Sequence, residues 1–315
     1  MIKISDYKLL FCLLMVAIVW GTTYFGIRVA VQTIPPWYVT SIRQGIAAFL
    51  VFLVLLYRKE LVWIGWENFK YQLIPSVLMI VIANGFTTIA EQTLPSGLTS
   101  ILCALSPVFI FIGSIIFGLQ QPSLKGFFGV IVGFSGVLFI FRDGLSAILD
   151  PNYIEGMFFL GIAILSWAFG TIFTKMQVHR TTNITLNLFY QFIISTIIQL
   201  ILAFVFTKET NFALWSTESI LAVAYLACFG SVIAFFSYYY ALKRVTAIQV
   251  SILSYINTII AVFLGWLVLE EVVTFDFIIA TVLIIIGVFI INFDPYKKEI
   301  VPTINEEDKE EVAVI

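Results

Sequence analysis

Ten long apolar stretches, separated by short polar connections, limit this chain to very few folds. About 20 apolar residues in a helix cross the hydrocarbon core of a bilayer, and a helix satisfies its own backbone hydrogen bonds there. The sequence therefore predicts an all-α polytopic membrane protein with ten transmembrane helices. The predicted spans are 9–31, 37–57, 72–91, 96–118, 124–141, 154–174, 185–206, 218–240, 247–268 and 275–293.

The composition excludes a soluble domain and a nucleic-acid partner. Of the 315 residues, 61% are hydrophobic and 11% are charged, whereas a soluble surface needs roughly 25% charged residues. A net charge of −2 creates no basic field for nucleic acid. The lipid bilayer is thus the expected surrounding, and the short connections leave no room for a soluble catalytic domain.

The distribution of basic residues predicts the orientation. With the N-terminus inside, thirteen Lys and Arg residues fall on the cytoplasmic side, three on the opposite side and Arg43 within a span, which accounts for all 17. Positive residues remain on the cytoplasmic side. We expect a multi-pass protein of the cytoplasmic (inner) membrane with both termini cytoplasmic. The first stretch is too long, and too rich in Trp and Gly, for a cleaved signal peptide.

The two halves of the chain resemble each other at an offset of about 150 residues. Trp20 and Trp167 are each followed eight residues later by a cation, Arg28 and Lys175. Each half holds five spans, and an odd number makes the second copy enter from the other side. This predicts two inverted five-helix repeats, 1–145 and 146–295, followed by an acidic cytoplasmic tail, 296–315. Many secondary transporters have this plan, with the substrate site near mid-membrane.

Arg43 lies about six residues inside the second span, roughly 9 Å deep at helical rise. Insertion of an arginine costs about 2.5–3.5 kcal/mol at mid-span and less nearer the edge. Two compensating roles are open. Arg43 pairs with Glu91 as a structural and gating ion pair, which we prefer, or it holds an anionic group of the substrate in a bidentate fork. Glu91 would couple transport to protons only if burial keeps it protonated.

Polar residues recur at helical spacing in three other spans. Cavity lining is one interpretation, and hydrogen bonding between helices is the other. In the fourth span Pro107 frees the carbonyl of Cys103, so Pro107 should face protein or a cavity. The polar positions are Asn84, Thr87, Thr88 and Glu91 in the third span, Ser100, Cys103 and Ser106 in the fourth, and Ser251, Ser254 and Asn257 in the ninth.

The fifth span carries a pair of glycines, and the chain has few residues that could bind a metal. Gly129 and Gly133 form a small-residue motif, which predicts close helix contact within the protomer or, alternatively, the face of a homodimer. The three cysteines lie in apolar runs, and the single histidine, His179, lies in a polar loop. One histidine cannot build a metal cluster with others, so no metal and no cofactor are expected.

These features resemble the EamA-type transporters of the drug/metabolite transporter superfamily. The resemblance covers about 9–293 and includes the WGTTY run from Trp20, the arginine of the second span, Ser96-Gly97-Leu98, Ser106-Pro107, and Leu119-Gln120-Gln121 with Leu269-Glu270-Glu271. It implies a central cavity lined by spans one to four and six to nine. It also implies export or exchange of small metabolites, most of all amino acids. Drugs, nucleotide sugars and sugar phosphates remain alternative cargo.

The sequence thus predicts a secondary permease that works by alternating access on a small-molecule substrate. A membrane-embedded enzyme and an ion channel are the rival classes; the first lacks clustered intramembrane His or Asp, and the second lacks a filter motif. The predicted gating or coupling residues are Arg28, Arg43, Glu91 and Pro107. The predicted substrate-binding residues are Trp20, Tyr24, Arg43, Asn84, Thr87, Ser106, Trp167, Tyr190, Tyr238, Ser254 and Asn257.

Overall fold

The computed structural model describes residues 7–140, 151–178, 183–207, 210–251, 253–270 and 275–292. These residues form ten long helices and one short 3₁₀ turn, Phe212–Leu214, and contain no strand. The predicted all-α, ten-helix fold is confirmed. His179 and the acidic tail lie outside the described residues. The helices are α1 Tyr7–Ala30, α2 Pro36–Arg58, α3 Gly65–Ala90, α4 Ser96–Ile116, α5 Leu124–Ile140, α6 Pro151–Met176, α7 Ile184–Phe206, α8 Thr217–Leu242, α9 Ala247–Leu269 and α10 Phe275–Asn292.

Most helices have the length that a membrane requires. Within the described ranges, eight are long and apolar enough to cross a bilayer, while α5 and α10 have 17 and 18 residues. The predicted start of the third span, residue 72, is too late, because α3 begins at Gly65. Its first turns carry Glu67 and Lys70, so hydropathy alone places them outside the apolar stretch.

The helices pack in symmetric pairs, as two inverted repeats require. Helix α2 packs against its counterpart α7, and α5 packs against its counterpart α10. The contact of α1 with α8 has its equivalent in the contact of α6 with α3, and α4 packs on α9. Each contact therefore maps onto itself or onto another contact when the two halves are exchanged. Below, the N-terminal face is the end of the bundle at which α1 begins.

Helices α5 and α10 approach each other through glycines. A Cβ added to Gly287 would overlap the backbone of Gly133 and of Gly129. Only glycine lets two helix backbones come so close, as in other small-residue contacts of membrane helices. The Gly129/Gly133 motif therefore mediates contact within the protomer, which decides between the two interpretations of that motif.

Helix α3 contains a π-helical segment, Ser76–Asn84. A π-helical turn shifts the backbone hydrogen bonds, and carbonyls that lose their regular donor need other partners inside a bilayer. Side chains of two other helices supply them: Ser166 Oγ donates to Leu78 O (2.9 Å), and Gln199 Nε2 donates to Ile80 O (2.9 Å). These polar residues of α6 and α7 therefore serve the backbone of α3.

Helix α8 contains the equivalent π-helical segment, Leu226–Ile233. There the indole Nε1 of Trp20 donates to Gly230 O at 3.1 Å. The two π-helical segments thus occupy matching positions in the two repeats, and both lie beside the centre of the bundle. Irregular helices at such positions are frequent at functional sites.

A cavity between the two repeats

A cavity of about 120 Å³ lies at the centre of the bundle. Side chains from α1, α2, α3, α4, α6, α8 and α9 line it, and α5 and α10 lie outside, as the resemblance implies. Helix α7 departs from that expectation, because none of its described side chains reaches the cavity. Helix α7 packs mainly on α2 and α3, and its Phe192 lies against Phe235 of α8, with ring centroids 5.8 Å apart. These three helices therefore separate α7 from the cavity.

Ten of the eleven predicted substrate-binding residues line this single cavity. Thr23, Cys103, Phe235 and Ser251 also line it, although they were not among those eleven. The structure thus brings together predicted residues that are up to 237 positions apart in the chain. The ten are Trp20, Tyr24, Arg43, Asn84, Thr87, Ser106, Trp167, Tyr238, Ser254 and Asn257.

Tyr190 is the exception among the predicted residues. Its hydroxyl donates to Val62 O at 2.9 Å, in the connection between α2 and α3. Its ring packs against Trp63 and Phe69, with centroids 5.8 and 6.2 Å apart. Because Tyr190 lies only seven residues into α7, it is near the N-terminal face and fastens a connection there. The structure places it away from the central cavity.

Three aromatic rings meet at the repeat axis. The Trp20 and Trp167 centroids are 5.1 Å apart in a T-shaped arrangement, and Tyr238 lies 5.1 Å from Trp20 and 5.4 Å from Trp167. Because Trp20 and Trp167 are equivalent positions in the two repeats, their contact places the pseudo-twofold axis between them. The cluster gives the cavity a rigid apolar wall whose ring faces can also attract a cation.

Arg43 brings a buried charge to the same cavity. Its side chain is only 2% exposed. The guanidinium Nε donates to Ser231 Oγ at 2.9 Å, while Nη1 is buried without a hydrogen-bond acceptor. Glu91, also fully buried, interacts with Arg43 through its charge. The guanidinium therefore has an electrostatic counterpart and one donor that no protein acceptor satisfies.

Two residues beside Arg43, Ser231 and Gly230, were not predicted from the sequence. Ser231 accepts from Nε, and a Cβ at Gly230 would come within 3.2 Å of Arg43 Nη2. Both residues belong to the π-helical segment of α8. A signal was present in the sequence, since Ser231 is an isolated polar residue at mid-span and Arg43 needed a polar partner.

Several predicted polar residues are already engaged in hydrogen bonds within the bundle. The Asn257 amide nitrogen, oriented toward the carbonyls that face it, donates to Ala17 O (2.7 Å) and Leu253 O (2.9 Å). Ser106 Oγ donates to Cys103 O at 2.7 Å, the carbonyl that Pro107 leaves without its helical donor. Asn257 and Ser106 therefore line the cavity and also form hydrogen bonds within the bundle, so both interpretations of the polar positions apply to them.

Arg28 and Lys175, the two cations that follow the tryptophans, each cap a neighbouring helix. Arg28 Nη1 donates to the carbonyls of Glu91 and Gln92, where α3 ends. Lys175 Nζ donates to Leu242 O (3.1 Å) and Val245 O (2.9 Å), where α8 ends. A cation at a helix C-terminus satisfies carbonyls and complements the helix dipole. The two caps lie at opposite faces, as inverted repeats demand.

A polar vestibule of about 260 Å³ lies at the N-terminal face, beyond the central cavity. Tyr239 Oη donates to Gln191 Oε1 (2.8 Å), and Gln191 Nε2 donates to Gln72 Oε1 (2.8 Å). The second bond joins α7 of one repeat to α3 of the other. All three residues line the vestibule, and Tyr239 directly follows Tyr238 of the cavity wall. A hydrogen-bond chain that joins the two repeats thus lines the vestibule.

A helical bundle of two inverted repeats around a central cavity has the architecture of a secondary transporter. The chain matches the EamA-like transporter family model over residues 8–142 and 154–293, and it belongs to that family. As far as the described residues extend, no group of three or more His, Cys, Asp or Glu side chains could hold a metal.

Related proteins cover nearly the whole chain. The uncharacterized inner membrane transporter YedA of Escherichia coli strain K12 is 29% identical over 306 residues, 93% of this chain and 94% of YedA. The uncharacterized transporter YoaV of Bacillus subtilis is 26% identical over 286 residues, 91% of this chain and 97% of YoaV. A solved crystal structure shares the fold with a TM-score of 0.69 at 15% identity, covering 91% of this chain and 98% of the other.

Proposed function

We propose that this EamA-like transporter moves a small zwitterionic metabolite of the amino-acid class across the inner membrane. The observation that carries the proposal is the buried Nη1 of Arg43, a cationic donor without a protein acceptor beside a cavity. A carboxylate accepts bidentate hydrogen bonds from a guanidinium. Glu91 keeps the charge of the empty site balanced, and the substrate carboxylate competes for Arg43.

The remaining walls favour an amino acid over larger cargo. An ammonium group or an apolar side chain fits against the rings of Trp20, Trp167 and Tyr238. The volume of about 120 Å³ is below the roughly 300–1,000 Å³ of typical ligand pockets. A drug or a nucleotide sugar would require the cavity to expand considerably, whereas a small amino acid requires little expansion.

Substitution of Arg43 tests the substrate assignment. We expect Arg43→Lys to retain the charge but lose the fork, and Arg43→Gln to lose both, so that substrate affinity falls in that order. The measurement is the shift of the melting temperature of purified protein with each of the twenty amino acids, since a ligand of the folded state raises it by mass action. Arg244→Lys, an exposed position outside the cavity, is the matched control. Unaltered amino-acid shifts in Arg43→Lys would remove the bidentate role.

The transport cycle we propose is alternating access, with the Gln72–Gln191 bond as part of the gate at the N-terminal face. Gln191→Leu removes both side-chain bonds of Gln191 and should open that gate. Cys103 lines the cavity, so its labelling by an impermeant maleimide reports access, in a background with Cys12→Ala and Cys228→Ala. We expect faster labelling from the N-terminal face, which we propose is cytoplasmic.

Tyr190→Phe serves as the control for this experiment. It removes a different hydrogen bond between α7 and the first repeat, one residue away, and leaves the hydrogen bonds of Gln191 to Tyr239 and Gln72 intact. Equal labelling rates in Gln191→Leu and Tyr190→Phe would show that the glutamine pair does not close the cavity. Proton coupling through Glu91 is tested separately, since Glu91→Gln with unchanged transport and unchanged pH dependence would exclude it.

A further inference from the structure

A second space of about 710 Å³ lies on the outside of the bundle, at the N-terminal face. It is a groove between α1 and α2 of the first repeat and α7 and α8 of the second. The groove therefore follows the seam between the two repeats. Its walls include Phe11, Val54 and Phe236, which are 60%, 42% and 40% exposed, so in a bilayer they face lipid tails.

The groove reaches from the membrane surface into the hydrocarbon region. On α2 its lining runs from Arg58, the last residue of that helix, to Val51. Seven residues of helix correspond to roughly 10 Å of depth. On α8 the lining runs from Tyr240 to Val232, roughly 12 Å. An acyl chain suits this long apolar space, whereas a compact soluble anion would leave most of it unfilled.

Cations surround the mouth of the groove. Lys8 and Arg58 both line it and are exposed. A third cation, Arg244, stacks on the ring of Tyr240, which belongs to the wall, with its Cζ 3.4 Å from the ring centroid. Glu60, the acidic residue nearest to Arg58 in sequence, accepts a hydrogen bond from Asn183 at 2.9 Å and does not line the groove. Among the described residues, the charged side chains that line the groove are therefore basic, and they lie at the level of phospholipid headgroups.

We propose that this groove is a binding site for one anionic glycerophospholipid, with an acyl chain between the repeats and its phosphate at Lys8 and Arg58. Basic pockets between transmembrane helices bind anionic headgroups in this manner. A zwitterionic lipid would fill the apolar space equally well but would not engage the cations as strongly. Because both repeats line the groove, the bound lipid contacts both halves of the rocking unit.

Native mass spectrometry of the delipidated full-length protein tests this site. Phosphatidylglycerol and phosphatidylcholine with the same acyl chains are added separately, and the fraction of protein with one bound lipid is measured. We expect wild type to bind phosphatidylglycerol more tightly. Lys8→Gln with Arg58→Gln should lower that affinity roughly 30-fold, at about 1 kcal/mol for each cation near a membrane surface, and should leave phosphatidylcholine binding unchanged.

Two further variants separate the headgroup from the groove. Lys70→Gln with Lys125→Gln removes the same charge from exposed positions near the same face and should bind like wild type. Val54→Trp fills the groove without altering charge and should reduce binding of both lipids. Equal affinities of wild type for the two lipids would overturn the proposal. So would an equal loss in the Lys70/Lys125 control, or displacement of phosphatidylglycerol by inorganic phosphate.

Discussion

Gly230→Ala is the sharpest structural test of how Arg43 is held. The new methyl group would lie 2.8 Å from Thr23 Cγ2 and 3.2 Å from Arg43 Nη2. Contacts below about 3 Å force something to move. Thr23 cannot rotate freely, because its hydroxyl donates to Trp20 O at 2.7 Å. We therefore expect α1 and α8 to separate by a few tenths of an ångström.

The size of the effect follows from two opposing terms. Overpacking a core by one methyl group typically destabilises a protein by about 1–3 kcal/mol. Replacing glycine by alanine within a helix gains about 1 kcal/mol. Gly161→Ala on α6 isolates the second term, because a Cβ there meets nothing within 4 Å. The difference in unfolding free energy between the two variants should therefore be about 1–3 kcal/mol, with Gly230→Ala the less stable.

Chemical unfolding in mixed micelles measures both variants, and Thr23→Ser provides the rescue. Serine keeps the hydroxyl and lacks Cγ2, so Gly230→Ala with Thr23→Ser should recover most of the lost stability. The contact between the new methyl group and Arg43 remains in the double variant. If it costs one charge-assisted hydrogen bond of about 1.5–3 kcal/mol, amino-acid affinity should be reduced by roughly 10-fold or more in both the single and the double variant. Equal stability of Gly230→Ala and Gly161→Ala would refute the packing argument.

Three further predictions concern other parts of the bundle. Gly287→Ala should lower thermal stability by about 1–3 kcal/mol without changing substrate affinity, because its methyl group would meet the α5 backbone; an unchanged melting temperature would contradict that contact. Tyr190→Phe should leave substrate affinity unchanged and reduce stability by about 1 kcal/mol, the usual net value of one hydrogen bond; weaker binding in titration calorimetry would return Tyr190 to the site. A double-mutant cycle of Thr171→Val and Tyr238→Phe, whose hydroxyls are 2.7 Å apart, should give a coupling of about 0.6 kcal/mol, and a value of zero would mean that this bond contributes nothing.

Much of the fold could be predicted because the bilayer imposes simple rules on sequence. Apolar stretches of membrane length located the ten helices, and the offset between Trp20 and Trp167 located the repeats. The same offset brought Trp20 and Trp167 together, since equivalent positions near an inverted-repeat axis must lie close together, and helical spacing indicated most of the polar residues of the cavity. A polar partner for Arg43 could be expected as well, because an intramembrane cation requires polar surroundings wherever it lies, and Ser231 is such a partner.

The remaining features depend on backbone geometry that side-chain patterns do not encode. Tyr190 and the cavity residues look alike in sequence, and only the packing of α7 behind α2 separates them. Ser166 and Gln199 donate to carbonyls of the π-helical segment of α3, and the sequence gives no sign that this backbone needs them. Hydropathy and helical periodicity assume a regular α-helix, so they cannot indicate where that regularity ends.

The paired π-helical segments also supply a way to move without unfolding. A π-helical turn accommodates one residue more than an α-helical turn, and the surplus residue can migrate along the helix by exchanging one backbone hydrogen bond at a time. Each such step turns the residues it passes by about 100°, the angle per residue of an α-helix. Ser231, which holds Arg43, lies on such a segment in α8. A single step of the surplus residue would move the Ser231 hydroxyl away from the guanidinium while both ends of the helix stay fixed.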